Sequence, residues 1–132
     1  MTDQLRATVR WLRASYIAGA VADGLIGIRM LLPGPMGETE FRIPMGLGAS
    51  LMFGWTALLV WAYQRPMERR GILLLTIFPV ICGLLVSAGW AAAQGLVPPW
   101  EAVPLMAMGG AIMCLMGFSY RKAAIAARRE VG

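Results

Sequence analysis

"GILLLTIFPVICGLLVSAGW", residues 71–90, runs for 20 residues without one charged side chain. At ~1.5 Å per residue an α-helix of about that length crosses the ~30 Å hydrocarbon layer of a bilayer. Three further apolar stretches accompany it. Reading outward, the expected helices cover about 12–32, 45–64, 71–96 and 102–120. The joins carry breakers: "PGPMGETEFRIP" (33–44), "QRPMERR" (64–70) and "VPPWEAVP" (97–104).

Composition agrees. Hydrophobic residues make up 58% of the 132 and charged residues 14%, against about 45–50% and about 25% in ordinary soluble domains. A soluble domain this small could not cover its surface with so few polar side chains. Mean hydropathy is +0.65. The expectation is a single all-α integral membrane domain over 1–132, with four transmembrane helices in an up-down bundle.

A net charge of +5 suggests nucleic acid until its distribution is seen. The basic residues sit at the ends of apolar runs, and no polar face exists on which to build a phosphate-binding patch. They follow the positive-inside rule instead. Arg6, Arg10, Arg13, Arg65, Arg69, Arg70, Arg121, Lys122, Arg128 and Arg129 fall on one side, while the opposite loops hold Arg42 with Glu38, Glu40 and Glu101. Both ends of the chain are therefore expected in the cytoplasm, in a bacterial-type inner membrane. The first span has the basic start of a signal peptide, but it is long, holds an acid and lacks an A-x-A-type site, so it is expected to be retained.

Aromatic residues fit the same frame. Trp11, Trp61, Tyr63, Phe118 and Tyr120 mark the inner headgroup level, Phe41 and Trp100 the outer one. The stretch around Leu5, Val9 and Leu12 and the segment "RKAAIAARRE" read as membrane-surface anchors.

Helices in lipid associate through close packing and hydrogen bonds, which favours small residues four apart on one face. Ser15, Gly19, Asp23 and Gly27 share such a register, as do Gly46, Ser50 and Gly54, then Pro79, Gly83, Ser87, Ala91 and Gly95; the last span is less regular, with Gly110 and Cys114 in register and Gly109 and Gly117 close by. Pro79 is expected to kink the third helix.

Asp23 interrupts "YIAGAVADGLIGIRMLLPG" (16–34). Counting from Ala14 puts it about 13.5 Å deep, near the midplane. An acid there costs at least about 2.5–3.5 kcal/mol, so it must hold its proton or find donors. Thr56 and Trp55 lie at the same depth and are the expected partners. Arg29, six residues on, is expected to reach the outer interface toward Glu38, Glu40 or Glu101. Thr76, Ser87 and Gln94 could extend a polar path.

"ADGLIG" (22–27) resembles, over one helix, the acid-bearing "A-E-[VI]-x-G" of small multidrug-resistance transporters, which are also short and four-spanning. The tryptophan and glycine motifs later in that family are absent, and its dual-topology members lack this charge bias. The chain is not assigned to it.

No histidine is present, which excludes histidine-ligated haem or zinc and a histidine base. Cys82 and Cys114 both lie inside apolar runs, so neither an extracytoplasmic disulfide nor a redox pair is indicated. Ten methionines with these cysteines invite a copper(I) reading through Cys82, Met113, Cys114 and Met116, but methionine is ordinary apolar filling. No nucleophile–base or carboxylate pair can be assembled. No metal, cofactor or catalytic residue is expected, and the chain is not read as an enzyme. Two functions stay open: a structural or accessory membrane subunit packing on lipid, on copies of itself or on a partner membrane protein, and a proton- or cation-coupled small transporter or channel component centred on Asp23.

Overall fold

Apolar segments can satisfy their backbone amides without water only by bonding within the segment, and helix is the local solution. In a computed structural model, residues 3–32 and 42–131 are described, with side chains through Arg128. They form four helices and no strand among the described residues: α1 (Asp3–Leu31), α2 (Arg42–Gln64), α3 (Gly71–Ala93) and α4 (Pro99–Val131). All four are long and apolar enough to span a membrane.

The helix ends depart from the expected bounds for local reasons. Asp3–Arg13 is continuous with the first span, so the N-terminal flank extends α1. Asp3 in the first turn and Arg29 in the last suit the helix dipole. Helix α3 stops at Ala93, short of residue 96, because Gly95 takes φ +71°. There the Gly95 amide donates to the Ala92 carbonyl and the Leu96 amide to that of Ala91, the paired bonds of a glycine-terminated helix. Helix α4 starts early, with Pro99 in a first-turn position where its missing N–H costs nothing. The Glu101 and Ala102 amides donate to the Pro98 carbonyl. At the other end α4 runs on through "RKAAIAARRE" as unbroken helix.

Pro79 acts on α3 as a widened turn. Residues Thr76–Ile81 are π-helical, flanked by α-helical Gly71–Leu75 and Cys82–Ala93. The proline ring would collide with the carbonyl four residues back, and it has no N–H to offer that carbonyl. Widening the turn accommodates both, and the Cys82 amide donates to Ile77, five residues earlier. The Thr76 hydroxyl closes the turn below by donating to the Ile72 carbonyl at 2.9 Å.

The chain divides into two compact units. One joins α1 up to Ser15 with α3 and α4. Its interior holds Leu12, Leu73, Ile77, Ile81, Ala102, Met116 and Ala123. Within it Gly109 approaches the side chains of Leu85 and Ile81, Gly89 faces Met106, and the Cys82 thiol lies 3.9 Å from Met113 Sδ. Those pairs run in opposite sequence directions, so α3 and α4 are antiparallel.

The other unit joins α1 from Tyr16 with α2. Gly24 lies against Thr56, Gly27 against Met52 and Phe53, and Gly48 against the methyl end of Met30. This descending register makes the two segments an antiparallel hairpin.

Candidate functional site

The buried face of α1 carries Ser15, Gly19, Asp23 and Gly27, one position per four residues. A Cβ on Gly27 would stand 3.1 Å from Phe53 Cε1 and 3.2 Å from Met52 Cβ, tighter than ordinary contact. Glycine is what lets α2 approach here. One turn back, Gly24 allows Thr56 to come within van der Waals reach of the same helix.

Asp23 immediately precedes Gly24 in sequence and is 5% exposed. Among the described residues its Oδ2 is the one buried side-chain oxygen or nitrogen without a hydrogen-bond partner. Thr56, the expected donor, is at the right level but differently engaged: its hydroxyl donates to the Met52 carbonyl in its own helix at 2.9 Å. A threonine in a helix always has that carbonyl within reach, so depth matching alone does not direct its proton. Trp55 is half-buried beside it. Arg29 and Glu101 are exposed, and Glu38 and Glu40 lie outside the described residues.

The other expected packing residues separate into two groups. Gly19 and Gly27 are buried. Gly46, Gly54, Gly83 and Gly110 instead have open space where a Cβ would stand, and Ser50 and Ser87 are exposed. In α2 the close approach comes one register over, at Gly48, with Ala49 buried; in α4 it comes at Gly109. A small residue is tolerated equally against lipid and against a helix, so four-residue spacing does not by itself select the inward face.

Two features of the first unit had weaker sequence signals. Ser15 and Ser119 are both fully buried, with their oxygens 2.7 Å apart. The Ser15 hydroxyl also lies 3.1 Å from the Trp11 carbonyl and 3.4 Å from that of Leu115, while Ser119 reaches the Trp11 carbonyl at 3.2 Å. Two hydroxyl protons thus have three acceptors around them, and α1 is pinned to α4. Ser15 was visible in the α1 register; nothing in the sequence singled out Ser119. Nearby, Trp11 and Phe118 meet edge-to-face at 5.3 Å, and Lys122 Nζ lies 5.7 Å and 4.7 Å from their ring centres. Both rings had been legible as interfacial aromatics, the lysine over them had not.

Cys82 is half-buried and Cys114 exposed, both as free thiols. Among the described residues no three histidine, cysteine or acidic side chains gather where they could hold a metal ion. No protein-family model, curated protein or solved structure matches the chain.

Proposed function

We propose that this is a multi-pass inner-membrane protein, its four helices in up-down order with both ends in the cytoplasm, that serves as a non-enzymatic accessory subunit of a membrane assembly. The observation carrying this reading is the cover that α2 lacks. Only 11% of its most apolar stretch is buried, and Ile43, Leu47, Leu51, Val60 and Trp61 are exposed. Along the same helix Gly46 and Gly54 leave open notches, with exposed Ser50 between them. Small residues at that spacing let transmembrane helices approach closely, so α2 has the form of a helix that is completed by another chain. The antiparallel pairing of α1 with α2 and of α3 with α4 supports up-down order, and the ten basic residues supply the orientation.

The test is crosslinking in native membranes. With Cys82 and Cys114 replaced by serine, Ser50→Cys is expected to form a disulfide-linked species under mild oxidation, to itself or to a partner. Cysteine at Val86, on α3, serves as the comparison. Equal yields at the two positions would reduce the pairing to random collision and end the accessory reading. Reporter fusions after Arg128 should report a cytoplasmic end.

Asp23 favours a second reading. A buried carboxyl oxygen without a partner is rare in proteins and calls for a role, and acids inside membrane spans mark proton and ion paths. On this reading Asp23 carries a proton or cation. Purified protein in liposomes should then show a proton- or cation-dependent flux that Asp23→Asn abolishes while leaving the fold intact. Absence of flux in the wild type removes the reading.

A further inference from the structure

Between the first two turns of α1 and the last turns of α4 lies a groove of about 320 Å³, lined by Gln4, Ala7, Thr8, Lys122, Ile125 and Ala126. Its volume is at the lower end of the range for small-molecule sites. Lys122 is its one cationic lining residue. The rings of Trp11 and Phe118 hold that ammonium by cation–π attraction, which orients a charge without neutralising it. No acidic side chain among the described residues pairs with it. The Thr8 hydroxyl is already engaged on the Gln4 carbonyl at 3.0 Å, so the ammonium is the group left to receive an anion. The remaining walls, Ala7, Ile125 and Ala126, are apolar.

A cation set into apolar walls suits an amphiphile better than a fully hydrated ion. Trp11 and Phe118 are aromatics of the kind that settle at headgroup depth. Arg6, Arg10 and Arg128 are exposed on the same two helix segments and would concentrate anionic lipid around the opening.

We propose that this groove seats the headgroup of an anionic phospholipid. Lys122 donates to a phosphate oxygen, and Ala7, Ile125 and Ala126, about one turn nearer the helix ends, wall the headgroup on its cytoplasmic side. This inference rests on the membrane-spanning reading above.

The experiment uses the full chain in lipid nanodiscs and native mass spectrometry, with phosphatidylglycerol competing against phosphatidylcholine of matched chains. The wild type should retain the anionic lipid about fivefold in preference, the scale of one basic residue near a membrane surface. Lys122→Gln should bring retention to parity, and Lys122→Arg should keep it. Ala126→Trp, which fills the groove without changing charge, should also lose the preference and serves as the deciding variant if Lys122→Gln does not fold. Arg121→Gln, exposed and outside the groove, should stay within about twofold of wild type.

Equal loss in Arg121→Gln and Lys122→Gln would assign the effect to diffuse charge and overturn the proposal. So would retention in Ala126→Trp, or displacement of the lipid by free glycerol phosphate, which would make the ligand a soluble phosphate. Release of the wild-type chain from membranes by alkaline carbonate would defeat the membrane reading itself. A chain that stays in the bilayer with no lipid preference defeats this assignment alone.

Discussion

Ser15 and Asp23 occupy the same face of α1, eight residues apart, and both are buried. Their surroundings are opposite. Ser15 has another hydroxyl at 2.7 Å and two backbone carbonyls within reach. Asp23 Oδ2 has no partner, although a threonine lies one helical neighbour away. A polar group that holds helices together is one whose hydrogen bonds are made across them. By that standard Ser15 is an adhesive residue and Asp23 is not. A helix that satisfies one polar side chain and leaves the next unsatisfied has two different uses for polarity along one face.

The contrast can be broken most forcefully one turn beyond Asp23, at Gly27. Leucine there would drive its Cβ and the atoms beyond into Met52 Cβ and Phe53. Gly27→Leu is expected to destabilise the protein by about 3 kcal/mol, the upper part of the range for overpacking, as read from unfolding in graded detergent mixtures. Wild-type stability in that variant would mean that α1 and α2 do not depend on this contact.

Next in size is Asp23→Ala. Removing a buried group that lacks a partner should raise stability by about 2 kcal/mol. A loss of stability instead would show that the carboxyl group is bonded after all and is adhesive like Ser15.

Ser15→Ala should move the other way and lower stability by about 1 kcal/mol, since it strands Ser119 beside fewer partners. Smallest is the coupling between the two serines. A double-mutant cycle of Ser15→Ala with Ser119→Ala should give about 0.6 kcal/mol, the usual size inside membrane bundles. Additive effects would dissolve the pair as an energetic unit.

The four helices were legible because Gly71–Trp90 and its counterparts offer no other way to satisfy a backbone out of water. Their ends were legible only in part. Gly95 could be read as a stop signal, yet the apolar run continues through Val97 and hides where the stop falls. Facing was legible for α1 alone. Its register contains an acid, and an acid has a strong reason to turn away from lipid. In α2 the residues Gly46, Ser50 and Gly54 carry no such preference, and Gly48 and Ala49, beside them in sequence, take the inner position. Thr56 could be matched to Asp23 by depth but not by bonding, for a related reason. Depth can be counted along a helix, but the direction of a hydroxyl proton is decided by the carbonyl four residues behind it. The meeting of Lys122 with Trp11 and Phe118 joins residues more than 100 positions apart, and no local pattern could have placed them together.

The wide turn at Thr76–Ile81 makes α3 tolerant of one particular change in length. A π-turn is equivalent to one residue inserted into an α-helix. Deleting Pro79, an exposed residue within it, would remove the cause of the widening and let the turn shrink to ordinary pitch while the segment beyond kept its orientation. The same deletion at Val86 would swivel everything after it by about 100°. This helix therefore carries a shim, and a chain one residue shorter at that point could be built on the same plan.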